Sequence, residues 1–566
     1  MKSYRIALAQ INPSLGDLEN NTKKIIELIN EFKEKADLLV FPELCLVGYP
    51  PEDLILRKAL LEKVLIYINK IHKLVKKHKI GVILGAPLKL KNGIGNAAIY
   101  LIGNKRIELF KNNLPNYGVF DEKRIFLKGP KYKCVKLKKL KIGLMICEDM
   151  WTEEVAKSLI RDKADFFICI NASPFDHDKS KHRKLVASKI TRLSNKPLIY
   201  VNQVGGQDEL VFDGSSFVIG ANGNILDNLT PWKEEIKLVE VNLNKKTNII
   251  IKKNKNNVPV NKNFNTWSAL VLGLRDYVFK NSFKKIILGL SGGIDSAVSA
   301  AIAVDAVGSD NVIGLKLPSK ISSLGSLVDA EKTADLLKIK TQTLKINTIH
   351  QQYLKVLNKK FNNELLQLTN ENLQSRIRGS ILMAYSNNYS YLLISTGNKS
   401  EMSVGYSTIY GDMNGGFNVL KDIYKTELYE LAKWRNSIKK NYFKGPKSNV
   451  IPVNSIEKEP SAELSLDQKD SDSLPPYDVL DKILYYFIEK EYSIDQIIKK
   501  GFKSKTVKRI RELILVSEYK RRQAPPGVKL FAFEPCPFAP RKNASSPSVT
   551  ALEVSTLFVR FPTCIV

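Results

Sequence analysis

A cysteine, a glutamate and a lysine, each where an apolar run gives way to polar residues, could together hydrolyse an amide. Cys147 lies in LMICEDMW, Glu43 in FPELCLVGYPPEDL, and Lys111 precedes NNLPNYGVFDEKR. A thiolate is a strong nucleophile, but near neutral pH its proton must first be removed. A carboxylate can remove it and later activate water, while an ammonium group can stabilise the oxyanion of a tetrahedral intermediate. Singly, each residue also suits a plainer role, because a buried thiol behaves as a small hydrophobe and a lone Glu or Lys is usually a solvated charge. Cys45, Cys134 and Cys169 are read in that plainer way.

The second constellation is LSGGIDSA, residues 290–297: Leu290, Ser291, Gly292, Gly293, Ile294, Asp295, Ser296 and Ala297. The glycines let backbone approach a phosphate without Cβ clashes, and a helix starting here would offer unpaired N–H groups and a positive dipole end to an anion. The serines add hydroxyl donors, and Asp295 can hold Mg²⁺. This differs from the GxxxxGK[ST] loop of P-loop NTPases.

These residues need rigid elements to position them. Apolar runs at 4–10, 36–41, 80–86, 96–102, 140–147, 165–171 and 197–201 predict short buried strands, and the spacing of Ile25, Ile26, Leu28, Ile29 and Phe32 predicts a helix over 21–35. Such alternation indicates a layered α/β domain over 1–250. The polar stretch 251–263 reads as a linker. A second unit over 264–530 shows strands at 284–290, 311–317 and 391–396 and helices at 297–307 and 329–337, a βαβαβ run with parallel-sheet character. Residues 455–476 read as a loop and 477–520 as helical. The stretch 531–566, with Lys542 its only lysine, reads as an atypical tail outside the folded body.

At 566 residues and 44% hydrophobic, the chain suits a globular protein with a sizeable core. No apolar run approaches the roughly 20 residues needed to span a bilayer, and no signal peptide is evident. Six scattered cysteines suit a reduced, cytoplasmic protein. The net charge of +31 comes from lysine spread along the chain. No basic stripe interleaved with aromatic platforms accompanies it, so neither a nucleic-acid nor a membrane partner is expected.

The runs FPEL-x-L-x-GY-PPEDL, K-x-x-LPNYGVFDE-x-R, ICEDMW and INASPF together resemble the nitrilase (carbon–nitrogen hydrolase) family over residues 4–245, above all its glutamine-amidase branch. The resemblance implies an αββα sandwich with Glu43 as base, Lys111 as oxyanion support and Cys147 as nucleophile. It also implies a glutamine held by Tyr117, Ser173 and Lys179. SGG-x-DS resembles the pyrophosphate loop of the ATP pyrophosphatase family, whose fold is a doubly wound parallel sheet and whose members adenylate a carboxylate or carbonyl oxygen. ENLQSRIRG, STGNKSEMSVGYSTIYGDMNGGF, PSAELSLDQKDSDSLPPYD and EYKRRQAPPG resemble the NAD synthetase family over 264–530. That implies ATP contacts from the 290–297 loop, Thr396, Lys425 and Ser461, and Mg²⁺ near Asp295 and Glu401. It implies nicotinate adenine dinucleotide held by Asn372, Glu401 and Lys520, and a homo-oligomer. The chain departs from the family at LPSKI (317–321), where Met-Pro-Ser and an aromatic residue are common, and after Leu530.

The two resemblances fit one chemistry. A carboxylate resists attack until adenylation gives it a good leaving group. Ammonia must then attack unprotonated, which favours releasing it from glutamine in the same chain. The alternatives are another glutamine-dependent ATP pyrophosphatase amidotransferase, or a basic nucleic-acid-binding protein.

Overall fold

The computed structural model describes residues 2–130, 132–243, 247–250, 261–361, 365–461, 463–465 and 468–531. Two sheets lie face to face in the first half. The first runs in the order Thr247–Ile250, Glu235–Leu243, Lys2–Gln10, Leu38–Val40, Gly81–Leu90, Gly93–Ile102, Lys105–Phe110. The second runs Ile225–Asn228, Phe217–Ile219, Leu198–Asn202, Phe166–Asn171, Leu140–Ile146, Val135–Leu137. Strand alternation assigns the layers. Along Lys2–Gln10, Tyr4, Ile6 and Leu8 meet Ile142, Leu144 and Ile146 between the sheets, whereas Ala7 and Ala9 face the outer helices. Those helices are Leu18–Phe32, begun where the Asp17 carboxylate accepts the Asn20 N–H (3.1 Å), and Lys58–His78. Each buries one apolar stripe, such as Leu61, Val64, Ile68, Ile71 and Val75. Helices Glu153–Arg161 and Lys179–Ser194 cover the second sheet, completing the expected αββα order.

The second half is built on five parallel strands in the order Lys340–Thr343, Val312–Lys316, Ile286–Gly289, Leu392–Ser395, Phe417–Asn418. The chain builds outward from Ile286–Gly289 to one side, then returns to add Leu392–Ser395 on the other. That reversal opens a crevice at the strands' carboxyl ends, where ligands bind in open α/β sheets. Helices Ile294–Val307, Lys425–Asn436 and Lys262–Lys280 pack on one face and Gln367–Tyr389 on the other. Every residue of Ile294–Val307 is buried except Asp295, which faces the crevice.

Two boundaries differ from expectation. Of the linker 251–263, residues 251–260 lie outside the described residues, but Lys262 and Asn263 already belong to the helix Lys262–Lys280 because the Asn261 side chain caps it by accepting the Phe264 N–H (2.8 Å). Of the tail 531–566, only Phe531 is described. It belongs to the folded body, since its N–H donates to Asp422 (3.0 Å) and its ring lies 4.3 Å from the Lys399 ammonium. The 455–476 loop contains the end of the helix Val453–Glu457 and a short turn at Asp470–Asp472, and the helical stretch 477–520 is divided among four helices.

The helix Lys262–Lys280 joins the halves. It is apolar around most of its circumference, and its Gly273 sits against Val211 and Val528. The Asp276 carboxylate accepts the Gly206 N–H (2.7 Å) and the Asn12 amide (2.6 Å), and Lys280 donates to Gly206 O (2.8 Å), Pro13 O (3.0 Å) and Asn12 Oδ1 (2.9 Å).

Gly85 is a close-approach position beneath Glu43. A Cβ there would lie 2.1 Å from the Leu44 nitrogen and 2.6 Å from the Glu43 carbonyl carbon. Neither backbone atom can rotate away, so Gly85→Ala is expected to destabilise the chain by about 1–3 kcal/mol. Urea denaturation measures this, and an unchanged midpoint would contradict the packing described.

Candidate active sites

The first site lies at one end of the sandwich. Glu43 follows the strand Leu38–Val40, Lys111 follows Lys105–Phe110, and Cys147 follows Leu140–Ile146. Lys111 is 1% exposed and Glu43 fully buried. The Lys111 ammonium donates to Glu43 Oε1 (2.8 Å) and to Glu122 (2.9 Å). Glu43 also accepts from the Asn96 amide (2.8 Å) and, on its other oxygen, from the Ala172 N–H (2.9 Å). Glu122 accepts the Tyr49 hydroxyl (3.0 Å).

The charges follow from burial. Burial disfavours the Lys111 ammonium, but Glu122 and Glu43 more than reverse this and hold its pKa well above the ordinary value. Burial pushes the Glu122 carboxyl up to about 7, with Lys111 opposing and Glu43 adding to the rise. The Cys147 thiol is raised well above its usual range by burial and by Glu43, with Lys111 pulling it back. At rest it is a thiol that needs a base. Its backbone is left-handed (φ +44°), a conformation costing about 1 kcal/mol in a non-glycine residue. Such strain turns the chain sharply at the strand end.

The three residues expected to hold glutamine surround this cluster. The Tyr117 hydroxyl donates to Glu148, the neighbour of Cys147, at 3.0 Å, and its ring packs edge-on against Phe120 (5.5 Å). The Lys179 ammonium lies 4.9 Å from the Phe120 ring centre, and its pKa is lowered by burial and by Arg183. Ser173 is held by the buried Arg183, which donates to its hydroxyl (3.0 Å) and its carbonyl (2.8 Å) and pairs with Asp213 (2.7 Å).

The second site is a cavity of about 310 Å³ at the sheet's switch point. Leu290, Ser291, Gly293, Ile294, Asp295 and Ser296 line it. Gly292 instead turns away (φ +86°), where a Cβ would lie 2.2 Å from Ser326 O, and Ala297 is inside the helix. The Ser291 and Ser296 hydroxyls are 3.1 Å apart, Ser291 Oγ accepts the Gly293 N–H (3.2 Å), and no side chain caps the helix start. Thr396, Glu401, Lys425 and Ser461 also line the cavity. Lys425 donates to Asp295 (2.6 Å) and Glu401 (2.9 Å), and Asn398 donates to Asp295 (2.8 Å). Burial pushes the Glu401 carboxyl up to about 7, against Lys425 and with Asp295 and Asp470 adding to the rise.

Asn372 and Lys520 lie beside this cavity rather than in its wall. Asn372 accepts the Thr408 hydroxyl (2.8 Å), and Lys520 donates to Gly405 O (2.8 Å) and Ser407 O (2.7 Å), so both meet the segment 405–412 that rims it. Sequence reasoning missed Glu122, Asn96, Glu148, Asp149 and Asp470. Glu122 and Asp149 stand inside motifs already quoted, FDE-x-R and ICEDMW, but only contacts across the fold reveal their partners.

Comparison with known proteins bears on both halves. Residues 5–250 match the carbon-nitrogen hydrolase family and residues 266–524 the NAD synthase family. Among curated proteins, the chain is 41% identical to the glutamine-dependent NAD(+) synthetase of Acinetobacter baylyi, covering 94% of this chain and 96% of that protein. It is 39% identical to the one from Thermotoga maritima, with the same coverage. Among solved structures, the glutamine-dependent NAD+ synthetase from Acinetobacter baumannii in complex with adenosine diphosphate superposes with a TM-score of 0.75, at 39% identity over 94% of this chain and 97% of that one. That from Cytophaga hutchinsonii, 22% identical, shares the fold with a TM-score of 0.80 over 98% and 99%.

Removing the Lys111 ammonium would leave Glu43 and Glu122 facing each other without a counter-charge. Breaking a buried pair in this way costs about 3–5 kcal/mol. In the parent the folded Glu122 pKa already lies above the unfolded one, with Lys111 holding it down; in Lys111→Met that restraint is gone, the folded pKa rises further, and the variant loses more stability than the parent as pH rises. The loss relative to the parent is expected to be largest at pH 8 and to shrink toward pH 5, as measured by denaturation at both. A loss independent of pH would contradict the charge arrangement.

Proposed function

The chain belongs to the glutamine-dependent NAD(+) synthetases, and on that premise we propose that its two sites work in series, the first releasing ammonia from glutamine and the second using it to amidate nicotinate adenine dinucleotide. In the first site Glu43 takes the thiol proton as the Cys147 sulfur attacks the side-chain amide carbon of glutamine. The Lys111 ammonium stabilises the oxyanion. Collapse of the intermediate expels ammonia, which receives the proton from Glu43, and leaves a thioester. Water deprotonated by Glu43 then attacks the thioester and releases glutamate with the restored thiol. Tyr117, Ser173 and Lys179 hold the substrate's amino-acid end.

In the second site the backbone of 290–297, with Thr396, Lys425 and Ser461, holds ATP. Asn372, Glu401 and Lys520 hold the dinucleotide. The nicotinate carboxylate attacks the α-phosphorus and pyrophosphate leaves. Ammonia then attacks the mixed anhydride carbon, giving NAD and AMP. Asp295 and Glu401 fit Mg²⁺: they share one ammonium and so point at the same small volume, on a phosphate cradle, and a Mg²⁺ bound to phosphates uses one or two carboxylates. Burial is the main cause of the Glu401 rise, and Asp295 and Asp470 add to it, a contribution that a dication would offset. When bound, Mg²⁺ would neutralise charge on the departing pyrophosphate.

One observation carries this reading: a buried Glu–Lys pair beside a strained cysteine and a glycine-lined helix start at a sheet switch point occur in one chain, locked together by the helix Lys262–Lys280. Two further readings accompany it. The free thiols of Cys45, Cys134, Cys147 and Cys169 suit the cytoplasm, and among the described residues no helix is long and apolar enough to cross a membrane. The exposed Ile349, Tyr353 and Val356 on the helix Asn347–Lys360, which buries no residue of its own, suit an assembly of copies.

Following NAD with either nitrogen donor tests the series. Cys147→Ala is expected to lower glutamine-driven synthesis by about 10³-fold or more while ammonium-driven synthesis persists. Asp295→Asn is expected to abolish both and, where residual activity is measurable, to raise the Mg²⁺ concentration required. Loss of both activities in Cys147→Ala would overturn the assignment.

A further inference from the structure

Lys111 and Cys147 belong to different sheets. Lys111 is held by the first sheet and its flank, donating its N–H to Asn96 O (2.8 Å) and accepting the Gly129 N–H (2.9 Å). Cys147 follows the strand Leu140–Ile146 of the second. The apolar packing between the sheets is non-directional, so by itself it leaves the separation of ammonium and sulfur soft. A reaction at these two groups needs that separation held closely.

Asp149 spans the gap. It is fully buried, and its two oxygens accept four hydrogen bonds. Oδ1 takes the N–H groups of Asn112 (3.0 Å) and Asn113 (2.8 Å), the two residues that follow Lys111. Oδ2 takes the N–H of Ile146 (3.1 Å), the residue before Cys147, and the Tyr132 hydroxyl. A side-chain bond from Asn113 to Thr152 (2.5 Å) reinforces the same seam. Three of the four partners are backbone N–H groups, which can only donate, so the site favours an ionised carboxylate, which is an acceptor at every position. Burial pushes the carboxyl up to about 6, and the Tyr132 hydroxyl and the amide donors hold it down.

We infer that Asp149 is a positioning residue for amide hydrolysis, fastening the Lys111 segment to the Cys147 turn so that oxyanion support and nucleophile keep one geometry. This rests on the proposed roles of Lys111 and Cys147. Asparagine has the same shape but one acceptor oxygen, so its N–H₂ group must face either the Ile146 N–H or the N–H groups of Asn112 and Asn113. Asp149→Asn therefore breaks one side of the fastening with little change in volume.

The test uses the full-length chain, with glutamate release and NAD formation followed under glutamine or ammonium. In Asp149→Asn, kcat with glutamine is expected to fall about 10²-fold, the scale of a misplacement of about 1 Å. KM for glutamine should change by less than about threefold, because the interaction acts on the reacting groups and not on substrate binding. Ammonium-driven synthesis should persist. A kcat near the parent value, or a rise in KM without a fall in kcat, would overturn the inference. If Asp149→Asn also loses ammonium-driven synthesis through misfolding, Tyr132→Phe decides. It removes one of four donors, and a fall in kcat of about three- to tenfold at constant KM is expected; an unchanged kcat overturns the inference. Failure of Cys147→Ala to separate the two nitrogen donors would instead bring down the underlying reading.

Discussion

An ammonium group held out of water between two carboxylates is the constraint around which the first site is organised. Three charges buried together lose several kcal/mol of hydration each, and only close geometry repays that loss. Lys111 therefore cannot sit on a mobile loop. It emerges from a strand end, Glu43 is braced by the Asn96 amide and the Ala172 N–H, and Glu122 by the Tyr49 hydroxyl. These braces come from both sheets, so the site exists only if the sandwich closes in one register.

The same device recurs in the second half. Lys425 stands between Asp295 and Glu401, and Lys399, fully buried, stands between Asp422 and Glu489. Each triad has one positive and two negative groups and so carries an excess of negative charge. At Lys425 the triad lines the cavity. At Lys399 it is closed off: Asp422 accepts the Leu530 and Phe531 N–H groups, and the aromatic rings of Phe531 and Tyr424 flank the ammonium. One triad thus lines the cavity and the other is a clamp. The clamp holds the start of the helix Lys399–Val404, which carries Glu401, and Asn398 just before it grips Asp295.

How far the sequence was legible follows from how local each signal is. The strands Lys2–Gln10, Leu140–Ile146 and Phe166–Asn171 are short apolar runs that a central strand requires, and they stand where expected. Glu43, Lys111, Cys147 and the 290–297 loop are adjacent to such runs, so both the residues and their supports could be read together. The helix Lys58–His78 is absent from the expectations although its stripe is periodic. The helix Gln367–Tyr389 was harder, since it buries Gln374, Ser375, Ile377 and Gly379, a face without an apolar signature. Glu122 and Asp149 were illegible for another reason: their partners lie on other segments, and nothing in the order of residues says that an Asp149 oxygen will meet the N–H of Asn113.

What the halves share physically is the junction, and its composition suits a reaction in two stages. At neutral pH free ammonia is almost entirely ammonium, which has no lone pair for attack. A chain that makes ammonia at one site and consumes it at another gains by keeping the two at a fixed separation. The helix Lys262–Lys280 supplies that rigidity through Asp276 and Lys280, which grip the Val204–Gln207 strand from two sides. That strand follows Asn202, whose side chain accepts the Ser173 N–H (2.9 Å) and donates to its carbonyl (3.1 Å). The junction and the Ser173 segment are therefore consecutive links of one hydrogen-bonded structure. A shift at either end must either break a buried hydrogen bond, at about 1–3 kcal/mol each, or carry the other end with it.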